Sequence, residues 1–184
     1  MSIDRIKQQI PDYAKDLRIN LGNVVDVDQA AGMTEQQVWG TALATAIASR
    51  NKELIDAIAS EAASHLDDNW LNASKAAAAI MGMNNIYFRF IHLASNKAYA
   101  RMPAKLRMSV IGNPGIDKVD FELLSLAVSA INGCGMCIDS HEQILIKGGV
   151  TADVIQHAVR IASVIHAVAG VLDTSDIAAL KNAA

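Results

Sequence analysis

Cys134 and Cys137 stand three residues apart in FELLSLAVSAINGCGMCIDSHEQILIKGG, residues 121–149, and they are the only cysteines of the chain. Glu122 lies twelve residues before the first, and His141 lies four residues after the second. Such a set can be a redox dithiol with its own acid/base groups, a metal site, or a pair of buried thiols. The last reading has weight, because free Cys is among the most buried residue types. The neighbours oppose it: Gly133, Gly135 and Asp139 open the backbone and are expected to admit water rather than fill a core.

Position on a helix supplies the chemistry. Asn132 and Gly133 interrupt a helical pattern, so both cysteines are expected in the first turn of the next helix. There the unpaired N–H groups and the positive end of the macrodipole favour a thiolate. His141 falls one turn beyond Cys137 on the same face, in reach of its sulfur directly or through one water. Glu122 rides the preceding helix. In a hairpin pivoting at Asn132 and Gly133, Glu122 lies about 15 Å back along one arm and His141 about 10 Å along the other. A facing Glu–His contact is then reasonable, and a carboxylate there orients the imidazole and supports it as a base. Taken singly, Glu122 would read as an exposed helix-start carboxylate beside Asp120; the combination gives it force.

A metal site would draw on Cys134, Cys137, His141 and Glu122. Structural zinc usually takes its second pair of ligands from another Cys/His pair at short spacing, and the chain has none. A haem attachment needs His directly after Cys137, where Ile138 stands. A thioredoxin-type CxxC needs a preceding strand, and LLSLAVSAIN has helical rather than alternating order. No bound metal or cofactor is expected. His65, His92, His157 and His166 sit on Ala- or Ile-rich helices without a Cys partner, and read as surface or satisfied core residues; only His92 and His166 follow apolar runs.

The elements that must position this set are helical. The hydrophobic fraction is 52%, much of it Ala, with three Phe, three Tyr and two Trp, which suits closely packed helices better than sheets. Thr34 with Gln37 three residues on forms a capping-box pattern opening MTEQQVWGTALATAIASR. KELIDAIASEAASHL follows as a second helix, and LNASKAAAAIMGMNNIYFRFIHLA as a long third, with Asn72 or Ser74 as its expected cap. Asn96, Pro103 and GNPGIDK at 112–118 mark loops. Helical order returns in DFELLSLAVSAIN, in CGMCIDSHEQILIKGG, and in TADVIQHAVRIASVIHAVAGVLD with Thr151 as cap. A shift of 80 residues lays caps, helices and loops of about 34–95 on those of about 116–175, the mark of a duplicated unit whose second copy carries the chemistry. The whole chain, 1–184, is expected to be one all-α domain.

Other properties bound the function. A formal charge of -3 and a pI near 5.9 supply no basic footprint, so nucleic acid is not an expected partner. The N-terminus has no apolar signal core, and no stretch reaches the roughly 18 uninterrupted apolar residues of a membrane span. A cytoplasmic location without membrane association is expected, and there a lone CxxC reads as catalytic or metal-binding rather than structural.

The pattern E-x11-C-x2-C-x3-H within FELLSLAVSAINGCGMCIDSHE resembles the active-site segment of the alkyl hydroperoxidase D (AhpD) family, in the carboxymuconolactone decarboxylase-like superfamily. The resemblance extends over nearly the full length, including IDRIKQQIPDYAKDLRINL. It implies an all-helical subunit in a homotrimer, acting as a thiol peroxidase and as a disulfide-reductase adaptor. Electrons would come from a dihydrolipoyl group on a 2-oxoacid dehydrogenase acyltransferase, recharged by lipoamide dehydrogenase, and pass to the peroxiredoxin AhpC. By position, Cys137 resembles the peroxidatic cysteine and Cys134 the resolving one that also meets protein partners, the two closing a redox-active disulfide. Glu122 and His141 resemble the proton relay. Family members often carry His inside the CxxC, and here Met136 stands there. Two other classes remain open: a non-redox carboxymuconolactone decarboxylase-like enzyme, against which the CxxC counts, and a helical binding protein with unreactive thiols.

Overall fold

The computed structural model describes residues 2–174, which form nine α-helices, three single 3-10 turns and no strand. The helices are α1 (Ile3–Gln9), α2 (Lys15–Val24), α3 (Glu35–Ser49), α4 (Lys52–Ala62), α5 (Asp68–Leu93), α6 (Ser109–Gly112), α7 (Lys118–Ile131), α8 (Gly135–Lys147) and α9 (Ala152–Thr174). The all-α expectation holds. Residue 1 and residues 175–184 of the expected domain lie outside this range.

Local signals start most of these helices where the sequence suggests. Thr34 Oγ1 accepts the Gln37 N–H while the Gln37 side chain accepts the Thr34 N–H, completing the capping box of α3. Thr151 Oγ1 accepts from Val154 N at the head of α9. The cap of α5 is a correction: neither Asn72 nor Ser74 starts it, because Asp67 accepts the Trp70 N–H at 2.9 Å and the helix begins one residue later. Ser74 lies inside and turns its hydroxyl back to the Trp70 carbonyl, the usual outlet for a mid-helix serine. Helix α1 starts at Ser2, whose hydroxyl accepts the Arg5 N–H, and α1 and α2 are held to the fold by Ile3, Ile6, Ile10, Leu21 and Val24, buried in the core.

Helices α3 and α7 cross at the centre. Each packs against the other, against both long helices α5 and α9, and against the next helix in sequence, α4 for α3 and α8 for α7. Helices α3, α4 and α5 begin at 35, 52 and 68; adding 80 gives 115, 132 and 148, close to the starts of α7, α8 and α9 at 118, 135 and 152. Exchanging the two triplets maps the α3–α7 pair onto itself and each of the other packing pairs onto another. The crossing of α3 over α5 depends on Gly40: a Cβ there would come within 2.9 Å of the Trp70 ring. Helix α9 is long and apolar enough to cross a membrane, yet half of its apolar window is buried within the fold. Its apolarity serves the core.

Two apolar clusters result. The larger joins α1, α2, α3, α4, α7, α8 and α9. A smaller one sits between α3, α5 and α7, built from Ala44, Ala73, Ala77, Met81, Phe121, Leu124 and Val128. Full burial of a side chain such as Phe121 contributes about 1.5–3 kcal/mol. Met81 belongs to this second cluster and also lines the pocket described next, so the floor of the site is anchored in rigid core.

Candidate active site

The turn between α7 and α8 fixes the dithiol. The Cys134 N–H bonds the Ser129 carbonyl and the Gly133 N–H bonds the Ala130 carbonyl, the two reverse bonds of a Schellman close. That close requires a left-handed residue, and Gly133 adopts φ +64. Cys134 is thus the last residue of one helix terminus and the N-cap of the next. Cys137 follows at the third helical position, and the two sulfurs are joined in a disulfide with Cα atoms 5.3 Å apart.

A polar network draws this turn onto α5. Asn85 Nδ2 donates to Ser129 Oγ at 2.8 Å, and Asn132 Nδ2 donates to Asn85 Oδ1 at 2.9 Å. The Arg89 guanidinium donates to the Asn132 carbonyl. The expectation that the flanking glycines admit water to both cysteines fails here. Cys134, expected from the family resemblance to meet protein partners, is 0% exposed, and Cys137 is 6% exposed. The turn is compact and pinned against α5, so the space freed by Gly133 and Gly135 does not reach Cys134.

Glu122 and His141 meet as the hairpin geometry suggests. Glu122 Oε2 accepts from His141 Nδ1 at 2.5 Å, with the carboxylate only 2% exposed. A carboxylate can only accept, so Nδ1 carries the proton and Nε2 is the ring nitrogen left for proton exchange. Asp120, in the first turn of α7, is held elsewhere: Gln37 Nε2 donates to it at 2.7 Å. Burial pushes the Asp120 carboxyl above its usual range, the Gln37 hydrogen bond opposes that, and Asp117 adds to it.

Glu122, Cys137 and His141 open onto a pocket of about 260 Å³. Asn84 and Ser140 complete its polar part; Met81, Phe88, Met108, Ile111, Met136 and Ile144 form an apolar wall. Of the four residues singled out in the sequence, only Cys134 lies off the pocket, behind Cys137. With the sulfurs joined, no three His, Cys, Asp or Glu among the described residues are arranged to hold a metal. His157 is buried with Nε2 on the Val24 carbonyl, His65 stacks on Trp39 and pairs with Glu35, His166 lies against Ser49, and His92 is exposed. None of these four lines the pocket.

Sequence reasoning missed Asn84, Asn85, Arg89 and Ser129. The pair Asn84–Asn85 in the apolar stretch IMGMNNIYF was the available signal, since adjacent carboxamides inside an apolar helix need partners.

Comparison with known proteins accords with this geometry. The carboxymuconolactone decarboxylase family model matches residues 97–180, which include the whole dithiol hairpin. The alkyl hydroperoxide reductase AhpD of Brucella anthropi is 57% identical over 176 residues, covering 96% of this chain and 99% of that protein. The chain belongs to the AhpD family. Rhodospirillum centenum AhpD is also 57% identical, over 94% of this chain and 91% of its own length. Rhodopseudomonas palustris AhpD is 59% identical over 92% of each. Similarity to these AhpD proteins therefore extends through α5, which lies outside the family model and carries Asn84, Asn85 and Arg89.

Proposed function

We propose that this protein is an alkyl hydroperoxide reductase that works through a Cys134–Cys137 dithiol/disulfide cycle. The observation that carries the reading is the joined pair at a helix start, with one sulfur opening beside a buried His–Glu couple onto a largely apolar pocket. In the reduced protein His141 Nε2 accepts the Cys137 proton, and Glu122 holds the resulting imidazolium. The thiolate attacks the terminal oxygen of the hydroperoxide, the O–O bond breaks, and the alkoxide takes a proton from His141 to leave as the alcohol. Cys137 is then a sulfenic acid. Cys134 attacks its sulfur, water leaves, and the disulfide closes.

Reduction runs by thiol exchange. A dihydrolipoyl thiolate attacks the Cys137 sulfur, which lines the pocket, and Cys134 departs as the thiolate. The second lipoyl thiol resolves the mixed disulfide, leaving oxidised lipoyl and two cysteine thiols. We extend the proposal to a lipoylated 2-oxoacid dehydrogenase acyltransferase as donor, recharged by lipoamide dehydrogenase, and to the peroxiredoxin AhpC as a protein acceptor. No bound cofactor is required. A cytoplasmic homotrimer is part of the same reading, and the row Ile86, Phe90 and Leu93, exposed on one face of α5, supports an interface between copies. A non-redox decarboxylase has no use for the joined sulfurs.

The test mixes the protein with an alkyl hydroperoxide, NADH, lipoamide dehydrogenase and a lipoylated acyltransferase, and follows NADH absorbance for the native chain and Cys137→Ser. Loss of NADH that vanishes in the variant is expected. No loss with the native chain, even after a peroxiredoxin is added, refutes the proposal.

A further inference from the structure

Residues 69–116 carry six Lys or Arg and no Asp or Glu, while the rest of the chain carries ten and nineteen. A chain of formal charge -3 is thus divided into a stretch of +6 and a remainder of -9. The six cations are Lys75, Arg89, Lys97, Arg101, Lys105 and Arg107, and all are exposed. The ion pairs among the described residues are made by other groups, Lys7, Arg18, Lys52, His65 and His141. Arg89 and Lys97 donate to the Asn132 and Ala94 carbonyls, which leaves their charges uncompensated. The stretch therefore holds a surplus of positive potential for which the fold has no use.

The same stretch is one wall of the site. It supplies Met81, Asn84, Phe88, Met108 and Ile111 to the pocket that Cys137 lines. Arg89 follows Phe88 in the chain and reaches the Asn132 carbonyl, two residues before Cys134, while Arg107 directly precedes Met108. On the facing wall, Asp139 and Glu142 of α8 are exposed, but they lie about 140–160° around the helix from Cys137. Glu122 is buried and engaged with His141. Charge of one sign around a cleft with low-dielectric walls focuses the field and raises the local concentration of opposite charge. The Met, Phe and Ile side chains of the lining favour carbon over water.

We infer that the preferred substrate is an anionic amphiphile, an organic hydroperoxide whose carbon body enters the apolar pocket and whose carboxylate is drawn by the cations of residues 69–116. This rests on the peroxidase reading above and narrows its substrate class. The carboxylate takes no part in the chemistry, and cleavage of the O–O bond at Cys137 proceeds as already described. Attraction by the summed field needs no single ion pair, and salt weakens it. Hydrogen peroxide, uncharged and without carbon, gains from neither the field nor the wall.

The test compares a fatty-acid hydroperoxide with its methyl ester, which keeps the carbon body and removes the charge, both below micelle-forming concentration. Thiol loss of the reduced protein is followed by stopped flow for the native chain and for Arg101→Gln/Lys105→Gln/Arg107→Gln, three exposed side chains outside the pocket lining. Three unit charges acting over about 10 Å through water at low salt change a rate by about fourfold. Expected are a native rate for the acid above that for the ester, a fall of about fourfold for the acid in the variant, and an unchanged ester rate, which also reports that the variant is folded. Raising the ionic strength from about 0.01 M to about 0.3 M should slow the native chain with the acid and not with the ester. Equal native rates for acid and ester, or an acid rate unchanged by the variant or by salt, overturn the inference. Equal slowing of acid and ester in the variant also overturns it, since the cations would then act on the structure of the site. If neither hydroperoxide consumes the thiols while methyl methanethiosulfonate, which needs only a reactive thiolate, still does, the peroxidase reading falls and takes this inference with it.

Discussion

If His141 is the base and Glu122 serves only by orienting and supporting it, the two residues form one unit and their losses must not multiply. General base catalysis contributes about 10²–10⁴-fold, so His141→Ala should slow the reaction of reduced protein with an alkyl hydroperoxide by that much. Glu122→Gln keeps an oxygen that can accept the Nδ1–H now held at 2.5 Å, so it loses the charge but part of the orientation survives. Its cost should fall near the lower end, about 10²-fold. The same change weakens a buried charge-assisted hydrogen bond worth about 1.5–3 kcal/mol, which a urea midpoint will register as reduced stability. The double variant Glu122→Gln/His141→Ala closes the cycle. With no imidazole left to orient, it should react at the rate of His141→Ala, within about threefold. The assay is stopped-flow thiol loss at fixed pH on protein reduced and freed of reductant. A double variant slower than His141→Ala by a further hundredfold would falsify the relay, because Glu122 would then act on sulfur or substrate independently of the ring.

Two further outcomes follow from the frame of the site. Gly133→Ala forces a Cβ into a left-handed conformation at φ +64, which should lower stability by about 1–2 kcal/mol by urea unfolding and slow disulfide closure, since the same residue sets Cys134 in place; a variant as stable as the native chain refutes the Schellman account. Asp120 binds its proton more tightly in the folded chain than at the usual 3.8, so it destabilises the fold increasingly as pH rises from there through its raised folded value. Asp120→Asn keeps an oxygen for Gln37 Nε2 and sheds that burden: its urea midpoint should exceed that of the native chain at pH 7, with the gap shrinking below pH ~4. A lower midpoint at pH 7 would show that charge at the head of α7 is worth more than its desolvation costs.

Much of the site is short-range, and for that reason the chain's letters suffice to locate it. Asn132 and Gly133 end one helix and start another, and the helical rise then decides that a glutamate ten residues before the turn faces a histidine eight residues after it. Twenty residues of local backbone geometry bring Glu122, Cys137 and His141 together, and the capping box at Thr34 is decided within four. What depends on the tertiary structure arrives from elsewhere in the chain. Helix α5 begins more than fifty residues before the dithiol, and its packing on α3 and α7 is settled by side chains, Trp70 against Gly40 and Met81 among Phe121, Leu124 and Val128. Only that packing makes Asn85 and Arg89 the clamp on the turn, buries Cys134 while leaving Cys137 on the pocket, and leaves Asn84 unpaired beside it. Burial is a sum over neighbours that no local spacing contains: the glycines that suggested open backbone instead allow the turn to close tightly. The same holds for α1 and α2, whose isoleucines and leucine become structure when the core receives them.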